Sequence, residues 1–462
     1  MFVLRRSKKK TALGAVAVAA GLAVCVTLSG GLQSGTAEAA SAKAAKPTKN
    51  VIVMISDGWG YNHIAAADYY TGQQQAYERF PVRFPMSTYS VGNGYDPLKA
   101  WTDFNYVKSG ATDSASAGTA MASGVKTYDA AIGVDQNKVP LKLVTQYAEE
   151  AGKATGVVTS VEFSHATPAS FVAHNESRNN YSAIANEMIY RSATDVIMGC
   201  GAPDYDDNGA PAGKSTSYVG GAATWADISD GFVTGADADG DGMGDVWTVI
   251  RDRSQFQALD RGDTPSRVLG IPRVYTTLQQ ARGGDTKAAP GVVPLTATVP
   301  TLSEMTEAAL NVLDNDEDGF FLMVEGGAVD WAGHSNQSGR VIEEQMDFNA
   351  AVESVIEWVK QNSNWGETLL IVTGDHETGQ LWGPGSGTIG GTAVFNPIVD
   401  NGVGALPGMQ WNSSNHTNQL VPLFAKGDAG LLFKWTVDGT DPVRGAYIDN
   451  TDLGRILTKI VQ

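Results

Sequence analysis

Residues 51–58 read Val-Ile-Val-Met-Ile-Ser-Asp-Gly: five apolar residues, then a serine, a carboxylate and a glycine. Five residues suit a strand better than a helix. An unbroken apolar run predicts a strand covered on both faces, as in a parallel sheet. Similar runs recur at 156–161 (GVVTSV), 320–324 (FFLMV), 369–373 (LLIVT) and 421–425 (VPLFA), and all are expected to run parallel. Helical patterns over 141–151, 301–313 and 341–361 precede the second, third and fourth. Strand–helix alternation predicts an α/β fold with helices on both faces of the sheet. Residues 179–300 interrupt the alternation, are rich in Gly and Asp, and read as an insertion.

The residues just beyond each run point to a site. The first ends in Ser56-Asp57-Gly58 and the second leads to His165-Ala166-Thr167. The third leads to Glu325, Asp330 and His334, the fourth to Gly374-Asp375-His376, and His416 stands just before the fifth. Open α/β sheets bind ligands outside the carboxyl ends of their strands, so four runs delivering carboxylates or histidines there describe one shared site. Asp330 and His334 are four apart and share a face if helical. Histidine with carboxylate oxygen is a common zinc set, and the inventory offers two: Asp330/His334/His416 and Asp57/Asp375/His376. A third set, Asp57/Thr167/Glu325, is all oxygen and suits a hard ion such as Mg²⁺.

Thr112-Asp113-Ser114-Ala115-Ser116-Ala117-Gly118 adds a nucleophile. Residues 114–123 are mostly small and read as a helix, with Gly118 a weak spot and Gly124 a stop. Alone, Asp113 or Ser114 would be a helix cap. A serine hydroxyl needs activation, and the chain has no histidine within forty residues of Ser114. Paired metals would supply that activation, and a helix start with unpaired N–H groups suits an anionic substrate.

Taken in order, these motifs resemble the alkaline phosphatase family: D-G at 57–58, T-D-S-A-S-A-G at 112–118, H-A-T-P-A-S at 165–170, V-E-G-G-A-V-D-W-A-G-H at 324–334, T-G-D-H-E-T-G at 373–379 and H-T at 416–417. The resemblance runs from about Val51 to Lys426 and is weakest over 179–300. It implies a three-layer α/β/α sandwich around a large, mostly parallel sheet. It implies that Ser114 attacks phosphorus to give a covalent phosphoserine, and that Arg178, in H-N-E-S-R at 174–178, clamps the phosphate oxygens. Asp330, His334 and His416 would hold one Zn²⁺ and Asp57, Asp375 and His376 a second. Asp57 would bridge to Mg²⁺ with Thr167 and Glu325. Asp113 would lie on the substrate side. His165 and Trp331 depart from the best-known bacterial pattern, Asp and Lys, and are similar to some marine bacterial enzymes. Losing a carboxylate near the magnesium leaves the third ion's identity open. The resemblance further implies small phosphomonoester substrates and a homodimer.

Other acidic motifs compete for calcium. Asp237, Asp239, Asp241 and Asp245 alternate around Gly242, which suits either a Ca²⁺ loop or an acidic surface loop; Thr248 stands where an EF-hand has Glu. Asp204 to Gly209 is a weaker copy. Residues 314–325 match the full EF-hand pattern, but 320–324 reads as a buried strand and Glu325 belongs to the catalytic site. His63 and His174 read as structural, and Cys200 as a small buried residue.

The chain has 462 residues and a net charge of −17. Arg5, Arg6, Lys8, Lys9 and Lys10 precede an apolar run from Ala12 to Leu28, followed by Ala37-Glu38-Ala39. This pattern predicts an export signal over 1–39; 40–49 reads as a disordered leader and 50–462 as the catalytic domain. The product would be periplasmic or extracellular, without a membrane anchor, and its charge near about −21 argues against a nucleic-acid partner. Cys200 would be its single cysteine, which leaves no intrachain disulfide. Two alternatives stay open: a phosphodiesterase or sulfatase on the same two-metal scaffold, and a non-catalytic calcium- or phosphate-binding extracellular protein.

Overall fold

The computed structural model describes residues 48–462. The export signal at 1–39 and residues 40–47 of the leader lie outside the described residues. Eleven strands form one sheet, in the order 439–441, 445–449, 82–87, 421–426, 368–373, 50–56, 320–326, 154–162, 196–200, 268–270 and 248–250. Helices pack on it, including Leu302–Leu313 and Ser338–Asn362. Asn50–Ser56 lies at the centre, parallel to both Phe320–Gly326 and Thr368–Thr373. Every residue of these three strands is buried, as their unbroken apolar runs require. Full burial of each such side chain stabilises the fold by about 1.5–3 kcal/mol.

Register aligns the chemistry. Ile55 pairs with Glu325 and with Thr373, and Glu325 pairs with Thr159, so three strands finish level while Ala154–Glu162 runs past them to Glu162. Asp57 and Asp375 each come two residues later, at the same carboxyl edge. The helices start cleanly: Thr301 Oγ1 accepts from Glu304 N at 3.1 Å while Thr301 N donates to the Glu304 carboxylate at 3.0 Å.

Two expectations are corrected. Val421–Lys426 is antiparallel to both neighbours, Val82–Ser87 and Thr368–Thr373. The chain enters it from His416 at the carboxyl edge through a short loop, whereas a parallel strand needs a crossover of about a dozen residues. The segment 179–300 does not merely interrupt the fold. Its strands Val196–Cys200, Val268–Gly270 and Thr248–Ile250 extend the sheet in parallel. Three to five residues leave too little pattern to read. Residues 320–326 form a buried strand, so the EF-hand spacing at 314–325 has no loop to act through. Among the described residues no helix is long and apolar enough to cross a membrane.

Candidate active site

The helix Ser114–Ser123 begins at the carboxyl edge with Asp113 as its N-cap, accepting from Ser116 N at 3.0 Å. Gly118 sits inside it for a packing reason. A Cβ there would meet Ser170 at 3.0 Å, so glycine lets this helix approach the helix Ala166–Ser170 that carries Thr167. Ser114 is nearly buried, and its Oγ lies 3.2 Å from His376 Nε2.

Beside it stands a charged relay. Asp113 also accepts from Ala130 N at 3.0 Å and pairs with Arg178 Nη1 at 3.0 Å. Burial works against its charge, but Arg178 holds the Asp113 carboxyl below its usual range. Arg178 Nη2 lies 3.1 Å from His165 Nε2. Burial, then the Arg178 charge, pushes the His165 imidazole down to about 3, so it is neutral and its Nε2 accepts from the guanidinium. The Trp331 ring meets His165 edge-on at 5.6 Å between centroids.

Asp330, His334 and His416 come together at this edge. His334 Nε2 is 3.3 Å from Asp330 and 3.0 Å from His416 Nε2, and His416 Nε2 is 3.4 Å from Asp330. Asp330 is pulled up by burial but held well below the carboxylate range by His334 and His416. Burial opposes protonation of His416, yet Asp330 pushes it up to about 9. Its Nδ1 lies 2.9 Å from the Thr112 carbonyl, which it reaches by donating, leaving Nε2 for the cluster.

Asp57, Asp375 and His376 form the second group, all fully buried. His376 Nε2 lies 3.4 Å from Asp57 and 3.3 Å from Asp375. Asp375 Oδ1 accepts from Gly58 N (3.1 Å) and His376 N (2.9 Å), which leaves Oδ2 facing inward. Gly58 has φ +74°, and a Cβ there would sit 2.7 Å from Asp330 Cα. That turn therefore needs glycine twice over, for its left-handed backbone and for the close approach of the two groups. The groups share a wall: the His376 and His416 rings stack at 3.6 Å, and Asp330, His376 and His416 also offer ligand atoms within 4.8 Å of one another.

Glu325 accepts from Thr159 Oγ1 and has Thr167 and Asp57 close enough to influence its titration. Burial raises it to about 7 and Asp375 to about 6, and burial with Asp375, Asp330 and Glu325 lifts Asp57 well above its usual value. Both Asp57 oxygens, Thr167 Oγ1, Glu325 Oε1 and Asp375 Oδ2 are buried without a hydrogen-bond partner. Buried carboxylates with unused oxygens are costly unless a cation takes them, so this donor set fits metal ions.

An open cleft joins Ser114, Arg178, His165, Trp331, His334 and His416. Lys108, at the end of the short 3-10 helix Tyr106–Lys108, and the turn residues Asp129 and Gln280 also line it and carry no motif signal. Thr378, whose Oγ1 donates to Asp330 (2.5 Å), was legible in principle: it stands two residues after His376 in an extended stretch, on the same side. Asp237, Asp239 and Asp245 come within 4.8 Å at the surface, while Asp241 stands outside that group. Asp237 and Asp245 already accept from the loop's own N–H groups. Asp204 pairs with Arg251 at 2.6 Å. His63 and Cys200 are buried, away from the cleft lining.

Residues 48–402 match the alkaline phosphatase family. Alkaline phosphatase 3 of Bacillus subtilis is 33% identical over 375 residues, which cover 79% of this chain and 68% of that one. Alkaline phosphatase of Escherichia coli K12 is 29% identical over 427 residues, 86% of this chain and 84% of that one. Among solved structures, the cold-active alkaline phosphatase of a psychrophilic Shewanella superposes with a TM-score of 0.63 at 26% identity, covering 89% of this chain and 100% of that one. A two-group histidine–carboxylate site at the carboxyl edge of this sheet, with sequence and fold in agreement over most of the chain, leads to one assignment: the chain belongs to the alkaline phosphatase family.

Proposed function

We propose that this chain hydrolyses small phosphate monoesters to an alcohol and inorganic phosphate, with Ser114 as nucleophile through a covalent phosphoserine. The observation that carries this reading is the position of Ser114 Oγ, at a helix N-terminus and 3.2 Å from His376 Nε2, in a cleft that also holds Arg178. Asp330, His334 and His416 would hold one Zn²⁺, Asp57, Asp375 and His376 a second, and Asp57, Thr167 and Glu325 Mg²⁺. When bound, such ions lower the pKa of an oxygen nucleophile and neutralise charge on the phosphoryl and leaving oxygens. Arg178, fixed by Asp113 and His165, presents its guanidinium to the phosphate, where a fork of donors matches two oxygens. The unpaired N–H groups that open the helix at Ser114 favour the same anion. His165 gives the Mg²⁺ side a neutral imidazole rather than a carboxylate, which supports a weaker preference there. Export to the periplasm or medium after removal of 1–39, and a homodimer, complete the reading.

Initial rates on p-nitrophenyl phosphate and bis(p-nitrophenyl) phosphate test it. The monoester is expected to react faster at alkaline pH, with activity lost to a chelator and restored by Zn²⁺. A faster diester rate, or activity that survives exhaustive chelation, would overturn it.

A further inference from the structure

A two-strand ladder, Glu377–Thr378 against His416–Thr417, pairs Thr417 with Glu377 and His416 with Thr378; His416 lies in it and His376 immediately precedes it. Glu377 is 3% exposed, and neither metal group uses it. Its carboxylate is nevertheless saturated. One oxygen accepts from Thr417 Oγ1, from Gln419 Nε2 at 3.1 Å and from Gln380 N at 3.2 Å; the other accepts from Leu381 N at 3.0 Å. All four partners act as donors, so an acceptor-only group is required, and an amide would turn its NH₂ toward at least one of them. The backbone is also bent to suit. Gln380 has φ +44°, a left-handed conformation that side chains with a Cβ disfavour, and it persists only where surrounding contacts over-determine it. Gln380 Nε2 in turn donates to Phe104 O at 2.6 Å. Across the site, Gly60 lacks the Cβ that would meet Glu377 Cγ at 2.6 Å.

We propose that Glu377 is a positioning residue that sets the His376 and His416 imidazoles at the spacing the metal groups need; this rests on the metal reading above. Glu377 is the chain neighbour of His376, and through Thr417 it holds the chain neighbour of His416. A loosened Glu377–Thr417 link therefore lets the two rings, stacked at 3.6 Å, slide apart together. Partners of this outer kind are worth about 10–100-fold in metal affinity.

The test uses the full chain loaded with zinc, and reads zinc transfer to excess chelator together with the thermal midpoint of the metal-stripped protein. Glu377→Gln and the milder Thr417→Val are each expected to release zinc about 10-fold faster. The double variant is expected to be no faster than Glu377→Gln, because both changes break one link. Folded variants that release zinc at the wild-type rate would overturn the assignment, including the case where only the stripped midpoint falls. A double variant in which the two effects multiply would also overturn it. A wild-type chain that holds no zinc would sink the metal reading itself, and this assignment with it.

Discussion

Glu162 closes the strand Ala154–Glu162 at the edge of the site, fully buried, with neither carboxylate oxygen hydrogen-bonded. Burial, with Asp207 adding to it, pushes its carboxyl from 4.5 up to about 8. Between those values the folded chain holds a proton that the unfolded chain has released. Its contribution to stability is therefore complete below about pH 4.5 and is lost as pH rises through about 8. A shift of that size corresponds to about 5 kcal/mol over the whole window, of which about 3 kcal/mol falls between about pH 6 and pH 9.5. Glu162→Gln keeps the shape of the neutral acid and removes the titration. Urea unfolding of wild type and variant, at matched ionic strength and metal content, isolates the effect, since other pH dependences cancel in the difference. The variant's stability relative to wild type is expected to rise by about 3 kcal/mol from about pH 6 to pH 9.5. Parallel loss of stability in the two proteins would refute the reasoning and mean that the Glu162 carboxylate finds solvation when charged.

The cleft supports three further expectations. Ser114→Ala is expected to abolish phosphoserine trapping and to cut turnover by about 10³-fold or more while metal content stays unchanged, measured by acid quench and elemental analysis. Near-normal turnover would remove Ser114 from the mechanism. Arg178→Ala is expected to lower kcat/KM about 30-fold, or about 2 kcal/mol, because a charge-assisted fork held by Asp113 and His165 is lost; an unchanged value would place the phosphate elsewhere. Trp331→Lys brings a cation to the His165 side of the cleft and is expected to tighten inhibition by inorganic phosphate about fivefold. An unchanged inhibition constant would show that Trp331 does not govern product release.

The central strands were legible because they are buried on both faces, which makes the apolar run itself the signal. Direction was not: 421–425 reads like its neighbours, and only the short path from His416 reveals that it runs the other way. The strands at 196–200, 248–250 and 268–270 were hidden by brevity, since their partners, not their composition, make them strands. In the site, Asp57, Glu325 and Asp375 stood out together: an Asp after a strand reads alone as a turn or cap residue, but several carboxylates and histidines delivered to one sheet edge describe a shared site. Thr159 did not, because its partnership with Glu325 depends on register between strands far apart in sequence. Glu377 lay inside a quoted motif, yet its bond to Thr417 spans 40 residues and has no local signature.

The stack of His376 on His416 also bears on when the site comes into being. Ser114 reaches His376 across 262 residues, and His416 reaches Thr112 across 304. Contacts so far apart in sequence close long loops, and that entropy must be met before any of them is rewarded. A chain emerging from its N-terminus holds only separated carboxylates and histidines until the segment around His416 has been made and the antiparallel strand after it has docked. A fragment ending before residue 416 keeps Ser114, Asp57, Asp330, Asp375 and His376 but lacks the His416 ring that stacks on His376 and joins Asp330 in the neighbouring group.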